Sequence, residues 1–251
     1  TYNYAHVLPR ALESVFEQMD DRIELIVIDD GSTDATATVL ADYQVKHPAL
    51  NVIHQTNSGA ASARNVGIRR ACGKYVLLLD ADDELLPGAL AALLTAQERA
   101  TDAGIFLGGY ISVKPDGRES LRLPRAIPSA DVRSLIKLYL LEGKISIQHS
   151  CSMFRRDMLL ATPYPDHLTK SEDIPVFASL LISAPVVTID QAFAKIHKHP
   201  NSLRNSRANE EANELSMAQC LFDRLPTECQ SLRKQYFAQR YLSLFRRALN
   251  D

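Results

Sequence analysis

The sequence has few cysteines and no long apolar run. Its four cysteines are irregularly spaced and form no C-x-x-C pair. This pattern argues against a disulfide framework or a zinc site and favours free thiols in a reducing compartment. No apolar run reaches the roughly 18 to 20 residues that a membrane-spanning helix needs, and the first residues do not resemble a signal peptide. We therefore expect a cytoplasmic protein.

Neither sign of charge is in excess. The chain has 28 Lys+Arg against 30 Asp+Glu, so nothing in the composition indicates nucleic-acid binding. No internal repeat or low-complexity tract interrupts it. With 251 residues and 46% hydrophobic content, the chain can bury a core of one large domain, or of one domain with appendages.

Strand-like and helix-like segments alternate over the first two thirds of the chain. Strands are predicted over 23–28, 51–54, 75–79 and 103–113, and helices over 6–18, 33–47, 58–71 and from Pro87, with Ser32 or Thr33 as an N-cap. The continuous apolar content of the strands is typical of a mainly parallel sheet flanked by helices. Helices are also predicted over 129–142, 172–183 and most of the chain from 207, and short strands over 186–189 and 192–197.

Two acidic clusters follow predicted strands, where sheets of this kind bind ligands. In Leu79-Asp80-Ala81-Asp82-Asp83, three carboxylates repel one another unless hydrogen bonds or a cation relieve them. Mg²⁺ or Mn²⁺ would suit these oxygen ligands, and a solvated acidic loop is the alternative. In Asp29-Asp30-Gly31-Ser32-Thr33-Asp34, Asp30 could accept a hydrogen bond from a base or ribose, and Gly31 allows the backbone to approach a ligand. Here the alternative is a capped strand-to-helix turn.

Six segments, taken in order, resemble the inverting family 2 glycosyltransferases of the GT-A fold. They are Thr1-Tyr2-Asn3-Tyr4, Ile28 to Asp34, Asn57 to Asn65, Leu79 to Asp83, Ser171-Glu172-Asp173 and His199-Pro200-Asn201-Ser202. The resemblance implies an α/β, GT-A-type fold with a nucleotide-sugar-binding half over 1–111, an acceptor-binding half over 112–203 and a helical C-terminal extension over 204–251. The family normally opens with a buried strand before the Thr-Tyr-Asn segment, so we expect that the recorded sequence begins late.

The resemblance also implies a role for each donor-site residue. Tyr2 would stack on the nucleobase, expected to be uracil, unless it is an ordinary core aromatic. Asp30 would bind the base and Asp80 the ribose. Arg64 would serve the nucleotide or diphosphate, with an arginine–carboxylate pair inside the domain as the alternative. Asp82 would coordinate the divalent metal, Mn²⁺ or Mg²⁺.

Two further residues complete the implied site. Asp173 would be the general base that takes the proton from the acceptor hydroxyl. The adjacent Glu172 could serve as the base instead. The structural alternative is that both acidic residues only stabilise the start of a helix through its dipole. His199 would add a metal ligand or a hydrogen bond to the diphosphate, although a lone histidine is often structural.

The implied activity is metal-dependent transfer of a sugar, with inversion, from a UDP-linked donor to a glycan or lipid-linked acceptor. The setting would be bacterial cell-surface polysaccharide or lipopolysaccharide synthesis. One alternative is a nucleotidyltransferase, which would want a glycine-rich basic loop, whereas residues 3–10 contain no glycine. The other is a non-catalytic sugar-binding member, and the presence of both Asp82 and Asp173 argues against it.

The C-terminal residues have a basic, amphipathic pattern. Over 230–250 aromatic and leucine side chains recur at helical spacing among five basic residues, with no acidic residue between them. Such a helix can lie on an anionic membrane surface, here the inner face of the membrane. The alternative is a helix packed on the catalytic domain with its basic side chains in solvent.

Overall fold

The alternating pattern of strands and helices folds into a three-layer α/β structure. The computed structural model describes residues 1–128, 130–199 and 210–249. Its strands are β1 (Ile26–Asp29), β2 (Asn51–His54), β3 (Tyr75–Leu77), β4 (Glu84–Leu85), β5 (Ile105–Val113), β6 (Glu119–Arg122), β7 (Ser152–Arg155) and β8 (Val186–His197). Its α-helices are α1 (Leu8–Phe16), α2 (Thr36–Lys46), α3 (Gly59–Arg70), α4 (Ala89–Arg99), α5 (Val132–Leu140), α6 (Arg156–Ala161), α7 (Asp173–Leu181), α8 (Glu210–Arg224) and α9 (Arg233–Leu249).

The strands form two sheets. β1 and β2 pair in parallel, and a six-stranded sheet has the order β3-β7-β5-β8-β4 with β6 beside β5. In the larger sheet only β5 and β8 are parallel, and the other pairs are antiparallel. The expected mainly parallel sheet is therefore mixed. One reason is the Lys114–Gly117 turn, whose ends join by a 2.9 Å backbone hydrogen bond, because so short a turn can connect only antiparallel strands.

Strand β5 forms the centre of the core. Phe106 faces a cluster that includes Val15 of α1 and Leu93 of α4, whereas Ile105 and Leu107 face the opposite layer, formed by α3, α6 and α7. This alternation follows from the two-residue period of a strand. Because both of its faces are covered, β5 has apolar side chains on both faces from Ile105 to Leu107. β5 also continues across the expected boundary at residues 111 and 112, so the division into halves stays a prediction.

The C-terminal helices pack on the rest of the fold. Met217, Leu221 and Phe222 of α8 share a buried cluster with Ile136 of α5 and Ala178 of α7. The predicted helical extension is therefore present from Glu210 onward, and its expected start at 204 lies outside the described residues. Within the described parts of the chain, none of the helices is long and apolar enough to cross a membrane.

Local details differ from expectation at two helix and strand boundaries. Helix α2 begins at Thr36, and Asp34 accepts its backbone N–H at 3.0 Å, so neither Ser32 nor Thr33 is the N-cap. The two short strands expected after residue 186 form the single strand β8, whose pairing with β5 shifts register near Gly109.

All four cysteines are free thiols, as the irregular spacing predicts.

Candidate active site

A cavity of about 1560 Å³ opens between β1 and β3 and reaches the carboxyl ends of both strands. Six of the seven predicted site residues line it, namely Tyr2, Asp30, Arg64, Asp80, Asp82 and Asp173. The seventh, His199, contacts Asp82. Tyr2 is 45% exposed, so it is not a core aromatic and its ring is accessible from the cavity.

Asp30 fixes the loop that leads into α3. Asp30 as a residue is only 4% exposed. Its carboxylate accepts hydrogen bonds from Gln55 Nε2 at 2.7 Å and from the backbone N–H groups of Ser58 and Gly59 at 2.8 Å. The two backbone donors lie at the N-terminal end of α3, where a carboxylate is favoured. The predicted contact with a base would therefore come in addition to a role within the protein.

Gly31 is required by a close approach inside the protein. It has φ +74°, and a Cβ at this position would lie 2.7 Å from the Asn57 backbone nitrogen. The glycine thus allows the loop after β1 to touch the loop after β2, instead of a ligand as the sequence suggested. Asn3, with φ +56°, joins the same corner, because its Oδ1 accepts the Thr33 N–H at 2.7 Å.

Arg64 joins two carboxylates from distant parts of the chain. Its guanidinium donates to Asp80 Oδ1 at 3.0 Å and to Glu172 Oε1 at 2.5 Å. The internal arginine–carboxylate pair left open by the sequence is therefore present. Burial raises the pKa of Asp80, but the Arg64 charge outweighs this effect and holds that pKa below its ordinary value. Asp80 is thus ionised and faces the cavity.

Asp82 pairs with His199, a histidine that follows β8 and is 117 residues away in sequence. Asp82 Oδ2 lies 2.7 Å from His199 Nε2, and the Tyr4 hydroxyl lies 3.4 Å from the same nitrogen. Arg10 donates to the Asp82 carbonyl, which fixes the backbone of the loop. The carboxylate and imidazole predicted as metal ligands therefore converge. The remainder of their sequence segment, residues 200–202, lies outside the described residues.

These ligand atoms suit a hard divalent cation that shares its coordination with a substrate. Within residues 1–128, 130–199 and 210–249, no three histidine, cysteine or acidic side chains converge to hold a metal ion by themselves. Mg²⁺ commonly takes one or two carboxylates from the protein and completes its coordination with water and phosphate oxygens. The Asp82 carboxylate fits that pattern, and the His199 imidazole would add one nitrogen ligand beside it.

Asp83, the third acidic residue of the cluster, points away from its neighbours. It is 3% exposed and accepts hydrogen bonds from Ser150 Oγ at 2.6 Å and from the His197 N–H at 3.0 Å. Burial, reinforced by the charge of Asp80, raises its pKa to about 7. The crowding of the three carboxylates is therefore relieved by three different partners, and Asp83 anchors the loop to β8.

Asp173 is the first residue of α7. Burial, followed by the adjacent charge of Glu172, raises its pKa to about 6. Among the described residues it forms no ion pair, whereas the Glu172 carboxylate is held by Arg64. A carboxylate with a raised pKa and no competing cation is suited to take up a proton. Of these two side chains Asp173 is therefore better suited to accept a proton, and its role as the base stays a prediction.

The sequence model of a family described as "Glycosyl transferase family 2" matches residues 1–161. The chain belongs to this family. Among curated relatives, the "uncharacterized glycosyltransferase YibD" of Escherichia coli is 40% identical over 94 residues, which are 38% of this chain and 27% of YibD. The "putative teichuronic acid biosynthesis glycosyltransferase TuaG" of Bacillus subtilis is 35% identical over 118 residues, or 47% and 46% of the two chains. These matches thus span less than half of each relative's length.

Solved structures place this family 2 chain in the GT-A fold. The crystal structure of S. aureus TarS 1-349 in complex with UDP-GlcNAc has a TM-score of 0.72 and 21% identity over 97% of this chain and 71% of TarS. The mannosyltransferase PcManGT from Pyrobaculum calidifontis, in complex with GDP-Man and Mn²⁺, has a TM-score of 0.59 and 19% identity over 96% and 67%. At these identities the likeness concerns the fold, which confirms the GT-A-type architecture.

Three residues next to Arg64, for which the sequence predicted no role, are joined by hydrogen bonds. Asn65 Nδ2 donates to the Tyr164 carbonyl at 2.8 Å, and Asn65 Oδ1 accepts the Tyr164 N–H at 2.9 Å. The Tyr164 hydroxyl lies 2.9 Å from His149 Nε2. Burial lowers the pKa of His149 to about 3, so the imidazole is neutral and shares a neutral hydrogen bond with the phenol. Asn65 is part of the third family segment, but the sequence offered no signal for Tyr164 or His149.

Proposed function

We propose that the chain is an inverting glycosyltransferase that moves a sugar from a UDP-linked donor to an acceptor hydroxyl. The observation that carries the proposal is the meeting of Asp80, Asp82 and Asp173 in one cavity, although Asp173 is far from the other two in sequence. Membership of family 2 supports it. The complex of TarS with UDP-GlcNAc supports UDP as the nucleotide.

The donor would lie at the carboxyl ends of β1 and β3. Tyr2 would stack on the uracil ring, since aromatic faces favour such contacts, and Asp30 and Asp80 would bind base and ribose. Arg64 already pairs with Asp80, and its charge would also lie near the diphosphate. In this arrangement the protein recognises the nucleoside through groups that its own hydrogen bonds hold in place.

Asp82 and His199 would hold a divalent cation, Mn²⁺ or Mg²⁺. When bound, this ion supplies Lewis-acid stabilisation to the diphosphate leaving group. The Mn²⁺ in the mannosyltransferase complex supports a metal in this fold. In this chain the loop that carries Asp82 is fixed from two sides, by Arg10 at the Asp82 carbonyl and by Ser150 at Asp83.

Asp173 would take the proton from the acceptor hydroxyl as its oxygen attacks the anomeric carbon. The oxygen–carbon bond forms as the bond to the diphosphate breaks, so a single displacement inverts the configuration. The pKa of Asp173, raised to about 6, leaves the carboxylate ionised at neutral pH yet more basic than an ordinary aspartate. Such matching of the pKa to the working pH is what general-base catalysis requires.

A cell-surface glycan or its lipid-linked precursor is the proposed acceptor. The name of TuaG, which refers to teichuronic acid biosynthesis, supports a polysaccharide setting. Lipopolysaccharide synthesis is a second setting of the same kind. The choice of acceptor would depend on the proposed acceptor half, residues 112–203, which contributes Asp173 to the cavity.

A thermal-shift panel tests the donor proposal. UDP, GDP, ADP, CDP and dTDP are each added with and without Mn²⁺. We expect UDP with Mn²⁺ to give the largest rise in melting temperature, because a ligand at one hundred times its Kd stabilises a fold by about 2.7 kcal/mol. Omission of Mn²⁺ is the matched control for each nucleotide. An equal response to all five, or a shift only with GDP, would contradict a UDP-linked donor.

The two alternative functions give different results. A nucleotidyltransferase would require a triphosphate as its donor, and family 2 membership argues against it. A non-catalytic sugar-binding member would bind UDP-sugars without turning them over. Release of UDP from UDP-sugars in the presence of acceptor separates both alternatives from the glycosyltransferase.

We also propose that α9 contacts an anionic membrane, which would place the enzyme at the inner face of the cytoplasmic membrane. Its first turns pack on the fold through Tyr236, which is 3% exposed, whereas Tyr241, Leu242 and Phe245 are 41%, 53% and 61% exposed. The sequence over 233–249 contains basic residues and no acidic one. An exposed apolar stripe with positive charge favours anionic lipid.

Vesicle flotation tests this contact. We expect the protein to float with vesicles that contain phosphatidylglycerol and to stay in solution with phosphatidylcholine alone. Phe245→Ser should weaken flotation, because it removes apolar area from the stripe. Leu121→Ser is the matched control, since Leu121 is 58% exposed on β6, outside the helix. Absence of flotation, or equal loss with both variants, would exclude the proposed contact.

A further inference from the structure

Arg64 lies between two acidic side chains that belong to different parts of the site. On one side is Asp80, which follows β3, and on the other is Glu172, which precedes α7. The side chains of Arg64 and Glu172 are 17% and 14% exposed, so solvent screens the pair only in part. This contact joins Asp80, at the proposed nucleotide-binding side of the cavity, to the start of the helix that carries Asp173.

An aromatic ring also fixes the position of Arg64. Its guanidinium lies over the Tyr164 ring, 5.6 Å from the ring centroid. The ring is held through its hydroxyl by His149 and through its backbone by Asn65. An arginine seated on an aromatic face and paired at both ends has little freedom, so it can serve as a fixed reference point for Glu172.

The backbone that leads into α7 needs such a reference point. Ser171 has φ +56°, a left-handed conformation that a residue with a Cβ rarely adopts and that persists only where its surroundings impose it. Glu172 is the next residue and Asp173 the first of the helix. The Arg64–Glu172 contact lies directly after this turn and one residue before Asp173, which lines the cavity.

We propose that Glu172 is a positioning residue for Asp173, acting through its ion pair with Arg64. The inference rests on the proposed function, in which Asp173 is the base. It assigns Glu172 a role that is different from proton transfer. Glu172 fixes the start of α7 against Asp80 and Arg64, and its negative charge opposes the effect of the Arg64 charge on the carboxylate of Asp173.

The electrostatic part of this role has a predictable sign. The titratable and charged groups around Asp173 are Arg64 of α3, Asp80 after β3, Tyr139 of α5, Tyr164 after α6, Glu172, and Tyr236 of α9. Arg64 lowers the pKa of Asp173, and Glu172 raises it. Removal of the Glu172 charge leaves Arg64 less compensated, so the pKa of Asp173 falls.

The test compares Glu172→Gln with the unaltered protein in kcat, donor KM and pH profile. We expect kcat to fall by about 100-fold, the loss typical of a small misplacement of a catalytic group, with donor KM unchanged. The acidic limb of the kcat profile should move to lower pH. In the double variant Arg64→Gln with Glu172→Gln the limb should return toward its original position, because both charges are gone. An unchanged kcat or an unmoved limb in Glu172→Gln would overturn the proposal.

A second measurement does not depend on activity. Hydrogen–deuterium exchange of backbone amides over 170–176 should be faster in Glu172→Gln, since the contact that holds the turn is lost. Unchanged exchange would overturn the proposal even in an inactive preparation. Glu142→Gln is the matched control. Glu142 also pairs with basic residues, Lys137 and Lys144, but lies near the end of α5, and its replacement should alter neither kcat nor exchange over 170–176.

The same variants separate this inference from the proposed function. If Glu172→Gln abolished the acidic limb while Asp173→Asn kept its kcat, Glu172 itself would be the base and both assignments would fail. If Asp173→Asn lost activity and Glu172→Gln did not, the base would stand and only the positioning role would fail. Metal-dependent stabilisation by UDP in every variant would show that the donor site is folded.

Discussion

Asp173→Asn is expected to lower kcat by about 10²- to 10⁴-fold, the usual contribution of a general base. The substitution keeps the size of the side chain and its place at the start of α7 but removes the proton acceptor. Binding of UDP should persist, because the nucleotide contacts proposed for Tyr2, Asp30 and Asp80 are unchanged. Initial rates of UDP release with saturating acceptor, measured beside a UDP thermal shift, check both statements.

The pH profile of the unaltered enzyme should show the ionisation of Asp173. The carboxylate accepts a proton only when ionised, and burial raises the pKa of Asp173 to about 6. We therefore expect kcat/KM to rise with pH through about 6 and to level off above it. In Asp173→Asn this acidic limb should disappear from the residual rate.

Stability gives an independent control on Asp173→Asn. The pKa of Asp173 is higher in the folded protein than its ordinary value of 3.8, so ionisation costs the fold stability as the pH rises from that value to about 6, and the cost remains above it. Asparagine removes this cost, and the melting temperature at neutral pH should stay equal or rise. A lower melting temperature would instead indicate that the loss of activity comes from misfolding.

Asp131→Asn provides the matched substitution at another helix. Asp131 is the N-cap of α5 and accepts the Ser134 N–H at 2.9 Å, and asparagine caps helices about as well. Its activity should equal that of the unaltered enzyme. Asp173→Asn with a kcat within a few-fold of the unaltered value would contradict the base assignment.

The positions of the acidic clusters could be predicted because they depend on local patterns. A β-branched run followed by Asp29 and Asp30, and a second buried run followed by Asp80, place carboxylates at strand ends whatever the remainder of the chain does. Helix α7 was likewise predictable from the apolar run that follows Asp173. These patterns predict where a strand ends or a helix begins. In the structure the ends of β1 and β3 and the start of α7 lie around one cavity.

The partners of these residues could not be predicted in the same way. Arg64 and Glu172 are 108 residues apart, and their meeting depends on how α3 and α7 pack across the sheet. The same holds for His199 and Asp82, which meet because β8 runs beside β4. The resemblance to a family supplied the expectation that these residues share a site, but not that Arg64 pairs with Asp80 and Glu172 or that His199 contacts Asp82.

The direction of the strands is one detail in which the structure departs from the expected fold, whose GT-A-type α/β class is confirmed. The apolar run at the start of β5 indicates burial on both faces, which is typical of parallel sheets and led to the expectation of parallel neighbours. In the structure β5 is central, with antiparallel partners β6 and β7 and one parallel partner, β8. Burial depends on the position of a strand in the sheet, whereas its direction depends on connections that the apolar pattern does not record.

Asp82→Ala is expected to abolish the Mn²⁺-dependent part of the UDP thermal shift. The side chain removed is the carboxylate proposed to hold the cation, and a histidine alone offers one ligand where a hard cation prefers oxygen. The loop should stay in place, because Arg10 binds the Asp82 carbonyl and Ser150 binds the Asp83 carboxylate. Any shift that UDP gives without metal should survive through Tyr2, Asp30 and Asp80.

The effect of Asp82→Ala on turnover should be large. Lewis-acid stabilisation of a leaving group is worth several kcal/mol, and each 1.36 kcal/mol is tenfold in rate, so we expect kcat/KM to fall by at least about 100-fold. His199→Ala should reduce the apparent affinity for Mn²⁺ in the same assay. His197→Ala is its matched control, because His197 pairs with Glu84 at 2.9 Å and not with Asp82. If His197→Ala weakened Mn²⁺ binding as much as His199→Ala, or if Asp82→Ala kept the metal-dependent shift, the proposed cation ligands would be wrong, whereas the assignment of Asp173 would still stand on its own pH profile.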